Sequence, residues 1–153
     1  MALLNYTTEI PVDKTISEIT RALSMGRAMA ILTEYHPSGG GEVLAISFRA
    51  MTPYGVMSFR LPAKIDKVLL VLKRDPKIQP RFKTPEQAAR VGWRIVKDWI
   101  EAQMALIRVD MATMEQVFLP YAQDNHGVTL YETLQAGKFN GLALPAPGQT
   151  PTP

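Results

Sequence analysis

Apolar and polar residues alternate in the first half of the chain in patterns that predict a helix followed by an antiparallel sheet. Apolar residues recur at helical spacing after Thr15, which forms a capping box with Glu18, and Gly26 ends the pattern. Three runs with a period of two follow, at residues 28–35, 42–51 and 56–61. Turn sequences separate these runs, so they predict a β-meander of three strands.

A further run with a period of two lies at residues 5–11 (NYTTEIP) and is closed by Pro11. Because proline cannot donate a hydrogen bond to a neighbouring strand, this strand is expected at an edge of the sheet. The expected architecture is therefore an α+β fold, with an antiparallel meander of three to four strands packed against helices.

The C-terminal half contains the longest apolar pattern, which predicts one long central helix over residues 84–107. Thr84 is placed to cap it, and Pro85 occupies the first helical position. Two adjacent apolar stripes follow, a wider apolar surface than a surface helix needs. Either the rest of the monomer covers both stripes, or the stripe with Trp93, Ile100 and Met104 is an interface for an oligomer or a partner.

Two more capping boxes, beginning at Thr113 and Thr129, predict short helices that help to cover the long one. From Gly137 the chain is rich in glycine and proline. Residues 1–136 are therefore expected to form a single domain, and residues 137–153 a mobile tail.

Composition narrows the class of protein. The 153 residues are 46% apolar, include no cysteine and have only two histidines, so disulfides and thiolate metal sites are excluded. No run approaches the roughly 18 apolar residues of a membrane span, and the N-terminus does not resemble a signal peptide. The sequence predicts a cytoplasmic protein with no membrane partner, no cofactor and no metal.

Charge is distributed unevenly along the chain. Residues 60–97 hold eleven basic and three acidic residues, a net charge of +8, whereas the remainder carries −5. Such a window attracts nucleic acid, nucleotides or acidic proteins, although a merely solvated surface is the alternative. On the long helix, Arg94 and Lys97 lie four residues before Asp98 and Glu101 and are expected to pair with them.

The predicted hairpin adds two arginines to the charged window. A turn at residues 52–55 that sets Met51 opposite Val56 also places Arg49 opposite Ser58, and Arg60 opposite Ser47. A diagonal arginine pair of this kind suits phosphate or carboxylate, although arginines that simply solvate the open face of a sheet are the alternative. The candidate anion-binding residues are Arg49, Arg60, Lys64, Lys67, Arg90, Arg94 and Lys97.

Catalytic signals are weak. Glu34 and His36 could join residues 124–126 (DNH) in an acid–base or metal cluster, but nothing in the sequence brings the two turns together. Residues 39–41 (GGG) lie between strands and do not open a helix, so they are a hairpin tip and not a phosphate loop. The sequence therefore favours a protein that is not an enzyme.

Two resemblances bear on function. The order of helix, three strands and helix is similar to the double-stranded RNA-binding domain, in which Lys64 and Lys67 would lie near the start of the second helix. The motifs N-Y-T-T-E-I-P, F-R-L-P, R-V-G-W-R-I-V-K-D-W-I-E-A-Q and F-L-P-Y, which begin at Asn5, Phe59, Arg90 and Phe118, resemble a group of small proteins encoded by bacteriophages and mobile elements. This second resemblance implies nucleic-acid transactions or the inhibition of host defences.

The sequence thus leads to two hypotheses. In the first, the chain is a non-enzymatic binding protein that presents a basic surface to nucleic acid or to a nucleotide-like anion. In the second, it is a protein-interaction module, such as a phage-type inhibitor that binds a host protein, or a homo-oligomer that uses the face of Trp93, Ile100 and Met104.

Overall fold

The computed structural model describes residues 1–148 of the chain. Its elements are α1 (Val12–Met25), β1 (Ala28–Tyr35), β2 (Val43–Thr52), β3 (Gly55–Arg60), α2 (Ile65–Arg74), α3 (Pro85–Arg108), α4 (Met114–Phe118), β4 (Ala122–Gln123) and α5 (Leu130–Ala136). Short 3-10 turns occupy Pro80–Phe82 and Leu119–Tyr121.

The four strands form one antiparallel sheet in the order β1-β2-β3-β4, which confirms the α+β class and the meander. The expected hairpin register is also confirmed, with Met51 opposite Val56 and Arg49 opposite Ser58. Thr52 explains this register, because its hydroxyl donates to the carbonyl of Gly55 at 2.8 Å and accepts from the N–H of Tyr54 at 3.1 Å. These two bonds close the turn and set the pairing of both strands.

The N-terminal segment is not the predicted edge strand. Asn5 has a left-handed φ of 63°, and the N–H of Thr8 donates back to its carbonyl in a turn. The carbonyls of Tyr6 and Thr8 accept from Nε2 of the buried Gln87, at 2.8 and 3.0 Å, and not from a neighbouring strand. The fourth strand is instead the two-residue β4, which pairs with β3.

The first helix begins earlier than the capping box predicted. Pro11 precedes its first residue and supplies no side-chain cap, and Gly26 ends the helix as expected. Thr15 is fully buried inside the first half of the helix, where its hydroxyl accepts from Arg94 of α3 at 3.3 Å. Because the hydroxyl of Thr15 bonds another helix, the capping-box pattern at residues 15–18 does not mark the start of α1.

A bulge changes the faces of β2. The pairing shifts by one residue between Glu34 and Tyr35, so Val43 turns into the core while Leu44 is exposed. The predicted alternation holds for Ile46 and Phe48 beyond the bulge, both of which are buried.

Helix α3 lies at the centre of the packing and is covered from three directions. One side packs on the sheet and α1 through Trp93 and Ile100. Another meets the C-terminal part of the chain, where Trp99 packs edge-to-face against Phe118 and Tyr121, with ring centroids 5.5 Å apart in each pair. The capped starts at Thr84 and Thr113 are confirmed, since each hydroxyl accepts the expected backbone N–H.

Helix α2 covers the third side of α3, where Gly92 allows close approach. A Cβ atom on Gly92 would lie 2.5 Å from Cδ1 of Ile65 and 3.2 Å from Cγ2 of Val68. The N-terminal segment joins this contact, because Leu3 and Tyr6 pack in the same apolar cluster as Leu72, Ile78 and Ala88.

The chain folds back on itself after α5. The ring of Phe139 lies 5.5 Å from that of Tyr131. The boundary at residue 136 and the mobility of the tail stay predictions, and residues 149–153 of that tail lie outside the described part of the chain.

The close contact at Gly92 leads to a stability prediction. We expect Gly92→Val to lower the free energy of unfolding by about 1–3 kcal/mol, because Ile65 and Val68 must move to admit the new side chain. The matched control is Ala105→Val, at an exposed position of the same helix, which should cost less than about 0.7 kcal/mol from helix propensity alone. Urea unfolding of both variants measures the difference. Equal losses would contradict the close α2–α3 packing.

Candidate functional site

Two of the predicted anion-binding arginines form ion pairs with carboxylates of the same chain. Arg60 lies 3.2 Å from Glu34 across the open face of the sheet, so the diagonal arginine pair is half neutralised. Arg94, whose side chain is only 15% exposed, joins α3 to Glu18 of α1. Its expected partner on α3, Asp98, instead accepts from the side chain of Asn5 at 2.8 Å.

The other two cations of α3 that were predicted to bind an anion have partners as well. The side chain of Lys97 is 13% exposed, and its Nζ lies 2.9 Å from Glu101, the partner that the spacing predicted. Nε of Arg90 donates to Oε1 of Gln87 at 2.9 Å. Arg90, Arg94 and Lys97 therefore all bond within the chain, which makes them a poor site for an external anion.

The remaining predicted residues are exposed but do not lie together. Arg49 stands on the open face of the sheet, whereas Lys64 and Lys67 lie at the start of α2. Within residues 1–148, none of these three forms an ion pair. The structure thus separates Arg49 from the two lysines and does not assemble the seven predicted residues into one site.

A larger group of unpaired cations begins at these lysines and was missed as a site by the sequence reasoning. We call it the basic ridge: Lys64, Lys67, Lys73, Arg74, Lys77, Arg81 and Lys83. In the part of the chain that the structure describes, none of its members pairs with a carboxylate. The available signal in the sequence is the basic, proline-containing segment at residues 75–83 (DPKIQPRFK), which connects α2 to α3.

The packing of α2 explains why the basic residues of this helix face outward. Ile65, Val68 and Leu72 turn toward α3 and the N-terminal segment. At helical periodicity the opposite side carries Lys67 and Arg74, both of which are exposed.

Two aspartates lie near the basic ridge without neutralising it. Asp66 is exposed on α2. Oδ1 of Asp75 accepts from the backbone N–H of Lys77 at 2.9 Å, so this carboxylate serves the turn after the helix. The guanidinium of Arg81 lies 4.6 Å above the ring centroid of Phe82, which orients the charge without cancelling it.

The prediction that Trp93, Ile100 and Met104 form an exposed interface is wrong. Trp93 and Ile100 are 1% and 0% exposed and belong to the core between the sheet and the helices. Met104 is partly buried, with its Sδ in the space that a side chain on Gly26 would occupy. The monomer covers this stripe itself, which was the other interpretation that the sequence left open.

The weak catalytic cluster does not assemble. Backbone N–H groups of Val128 and His126 donate to the carboxylate of Asp124, at 3.0 and 2.8 Å, and hold the pKa of Asp124 below its ordinary value. Glu34 is paired with Arg60, and Nδ1 of His36 accepts from the N–H of Ser38. Across the described residues, no group of three or more histidine or acidic side chains is arranged to hold a metal ion.

No protein-family model matches the chain, and neither the search of curated proteins nor that of solved structures found a match. Within residues 1–148, no helix has the length and apolarity to cross a membrane. Lys64 and Lys67 lie at the start of the second helix, α2, and it is α3 that packs beside α1.

Unfolding experiments can test whether a paired cation contributes more to the stability of the fold than an unpaired one. We expect Arg94→Gln to lower the free energy of unfolding by about 1–2 kcal/mol, because Glu18 loses a largely buried partner. Arg74→Gln, the matched control on the basic ridge, should change it by less than about 0.5 kcal/mol. Urea denaturation measures both. Similar losses in the two variants would show that Arg94 is no more structural than Arg74.

Proposed function

We propose that the protein is a non-enzymatic binding protein that presents the basic ridge to nucleic acid or to a nucleotide-like anion. The proposed setting is the cytoplasm, in the phage or mobile-element context that the sequence motifs imply. The observation that supports it is the contrast between Arg90, Arg94 and Lys97 of α3, which bond within the chain, and the cations of the ridge, which have no carboxylate partner in the described residues.

Electrostatics favours a phosphate-bearing ligand for such a ridge. Each lysine or arginine that meets a phosphate releases a condensed counterion, so several unpaired cations in one surface give salt-dependent binding. Leu70 and Val71 are exposed on α2 between Lys67 and Arg74. Apolar side chains between cations can contact sugar or base surfaces while the charges meet the phosphates.

Charge reversal on the ridge tests the proposal. We expect Lys67→Glu with Arg74→Glu to weaken binding at least tenfold and to reduce the slope of log affinity against log salt by about 2, one for each lost phosphate contact. Fluorescence anisotropy with duplex DNA, single-stranded DNA and RNA, at about 50 and 200 mM salt, measures both quantities.

The matched control carries the same change in net charge on α1. Lys14→Glu with Arg21→Glu alters two exposed cations of that helix, and it should retain most of the affinity. The proposal is wrong if the unaltered protein does not bind, if its affinity is indifferent to salt, or if the α1 variant loses as much affinity as the ridge variant.

A second candidate function is protein interaction, now at the edge strand β1 and the adjoining open face of the sheet. Leu32, Met51 and Val56 are 58%, 62% and 51% exposed on that face. The neighbouring edge strand β1 contains no lysine, arginine or proline, the residues that commonly protect an edge from pairing. We propose a second copy of the chain as the occupant, with β1 pairing to β1; a host protein is the alternative partner.

Self-association through β1 predicts an effect of Leu32. We expect the mass measured by light scattering to rise with concentration toward that of a dimer, and Leu32→Lys to keep the protein monomeric. Leu44→Lys is the control, since Leu44 is exposed on the bulge of β2 and not on the edge strand. A protein that is monomeric at all concentrations would exclude self-association and leave a host protein to be sought by pull-down.

A further inference from the structure

A groove runs between the N-terminal segment and the connector that follows α2. It has a volume of about 290 Å³ and is lined by Tyr6, Thr7, Glu9, Lys77, Gln79, Arg81 and Phe82. A second cavity of about 220 Å³ shares Tyr6 and Lys77 with it and extends toward Met1 and Asp75. The two cavities therefore form neighbouring compartments along one path.

The walls of the groove are held in place by the fold. Nε2 of Gln87 binds the carbonyls of Tyr6 and Thr8, and this buried amide fixes the N-terminal wall to α3. The rings of Tyr6 and Phe82 meet edge-to-face, with centroids 5.7 Å apart, and join the two walls. A groove that exists before binding loses little entropy when a ligand orders within it.

The two walls carry opposite charge. Lys77 and Arg81 belong to the basic ridge and line the connector wall, whereas Glu9 lines the N-terminal wall. In residues 1–148 neither cation pairs with Glu9 or with any other carboxylate. A fitting ligand therefore has an anionic group for one wall and a hydrogen-bond donor for the other.

Size and chemistry together restrict the ligand class. Ligand pockets commonly measure roughly 300–1,000 Å³, so a groove of about 290 Å³ suits one small unit and not an extended cofactor. A nucleotide combines a phosphate with a base, and the exocyclic amino group of cytosine or adenine is a donor that a carboxylate accepts. Thymine presents a carbonyl oxygen at the corresponding position and has no such donor.

We infer that this groove holds one nucleotide of an extended single strand, with its phosphate at Lys77 and Arg81 and the amino group of its base at Glu9. The inference rests on the proposed function and names its ligand as a single strand that prefers amino-bearing bases. The adjoining cavity gives the next nucleotide a continuation of the path. Duplex DNA does not fit this arrangement, because a groove of about 290 Å³ suits one small unit and a duplex presents its bases only as pairs.

The test compares two matched pyrimidine strands. We expect short oligo-dC to bind about five- to tenfold more tightly than oligo-dT of the same length, and Glu9→Ala to reduce that preference to less than about twofold. The control Glu42→Ala removes an exposed carboxylate from the β1–β2 loop and should leave the preference unchanged. Anisotropy titrations of the full chain measure the ratio.

Amide NMR spectra of the same titrations separate this inference from the proposed function. We expect the N–H signals of Thr7, Gln79 and Arg81 to shift with oligo-dC, together with those of α2. Shifts confined to α2, with equal affinity for the two strands, would overturn the groove and leave nucleic-acid binding intact. If no signal shifts with any nucleic acid, the proposed function fails and the groove inference fails with it.

Discussion

The burial of α3 is the constraint on which the rest of the structure depends. A 24-residue helix with apolar side chains around most of its circumference needs several covering layers, and no single element can supply them. The sheet with α1, the C-terminal part of the chain with Phe118 of α4, and α2 each cover one sector. Because Gly92 lets α2 approach closely, the apolar side of that short helix packs against α3, and its basic side faces solvent.

A second, smaller interaction positions the N-terminal segment. Gln87 is buried in the first turn of α3, yet every polar atom of its side chain is used: Nε2 serves two carbonyls and Oε1 accepts from Arg90. A buried amide with unmet bonds would cost about 1–3 kcal/mol, so the segment and the helix stabilise one another. The same bonds place Glu9 and Tyr6 against the basic connector, which is how a groove with oppositely charged walls arises.

Sequence reasoning succeeded where the structure is decided by neighbours in the chain. The caps at Thr84 and Thr113 and the hairpin register set by Thr52 depend on residues within one turn of each other. It failed where a distant residue decides. Residues 5–11 alternate like a strand, but the side chain of Gln87 donates hydrogen bonds to carbonyls of this segment. Thr15 resembles a helix cap, but its hydroxyl accepts a hydrogen bond from Arg94. No local pattern contains that information.

The same distinction separates the two classes of basic residue, which are indistinguishable in composition. Arg94 and Lys97 lie where α3 crosses α1, within reach of Glu18, so their charges are balanced and their side chains mostly covered. Lys67 and Arg74 are as basic but lie on a helix with no element packed on its outer side, and no carboxylate in the described residues meets them. The net charge of +8 over residues 60–97 therefore overstates the electrostatic potential at α3. The uncompensated part of that charge lies on α2 and on the connector. Because only uncompensated charge attracts an anion beyond contact distance, the unpaired cations of the ridge contribute more to the long-range potential than the paired cations of α3 do.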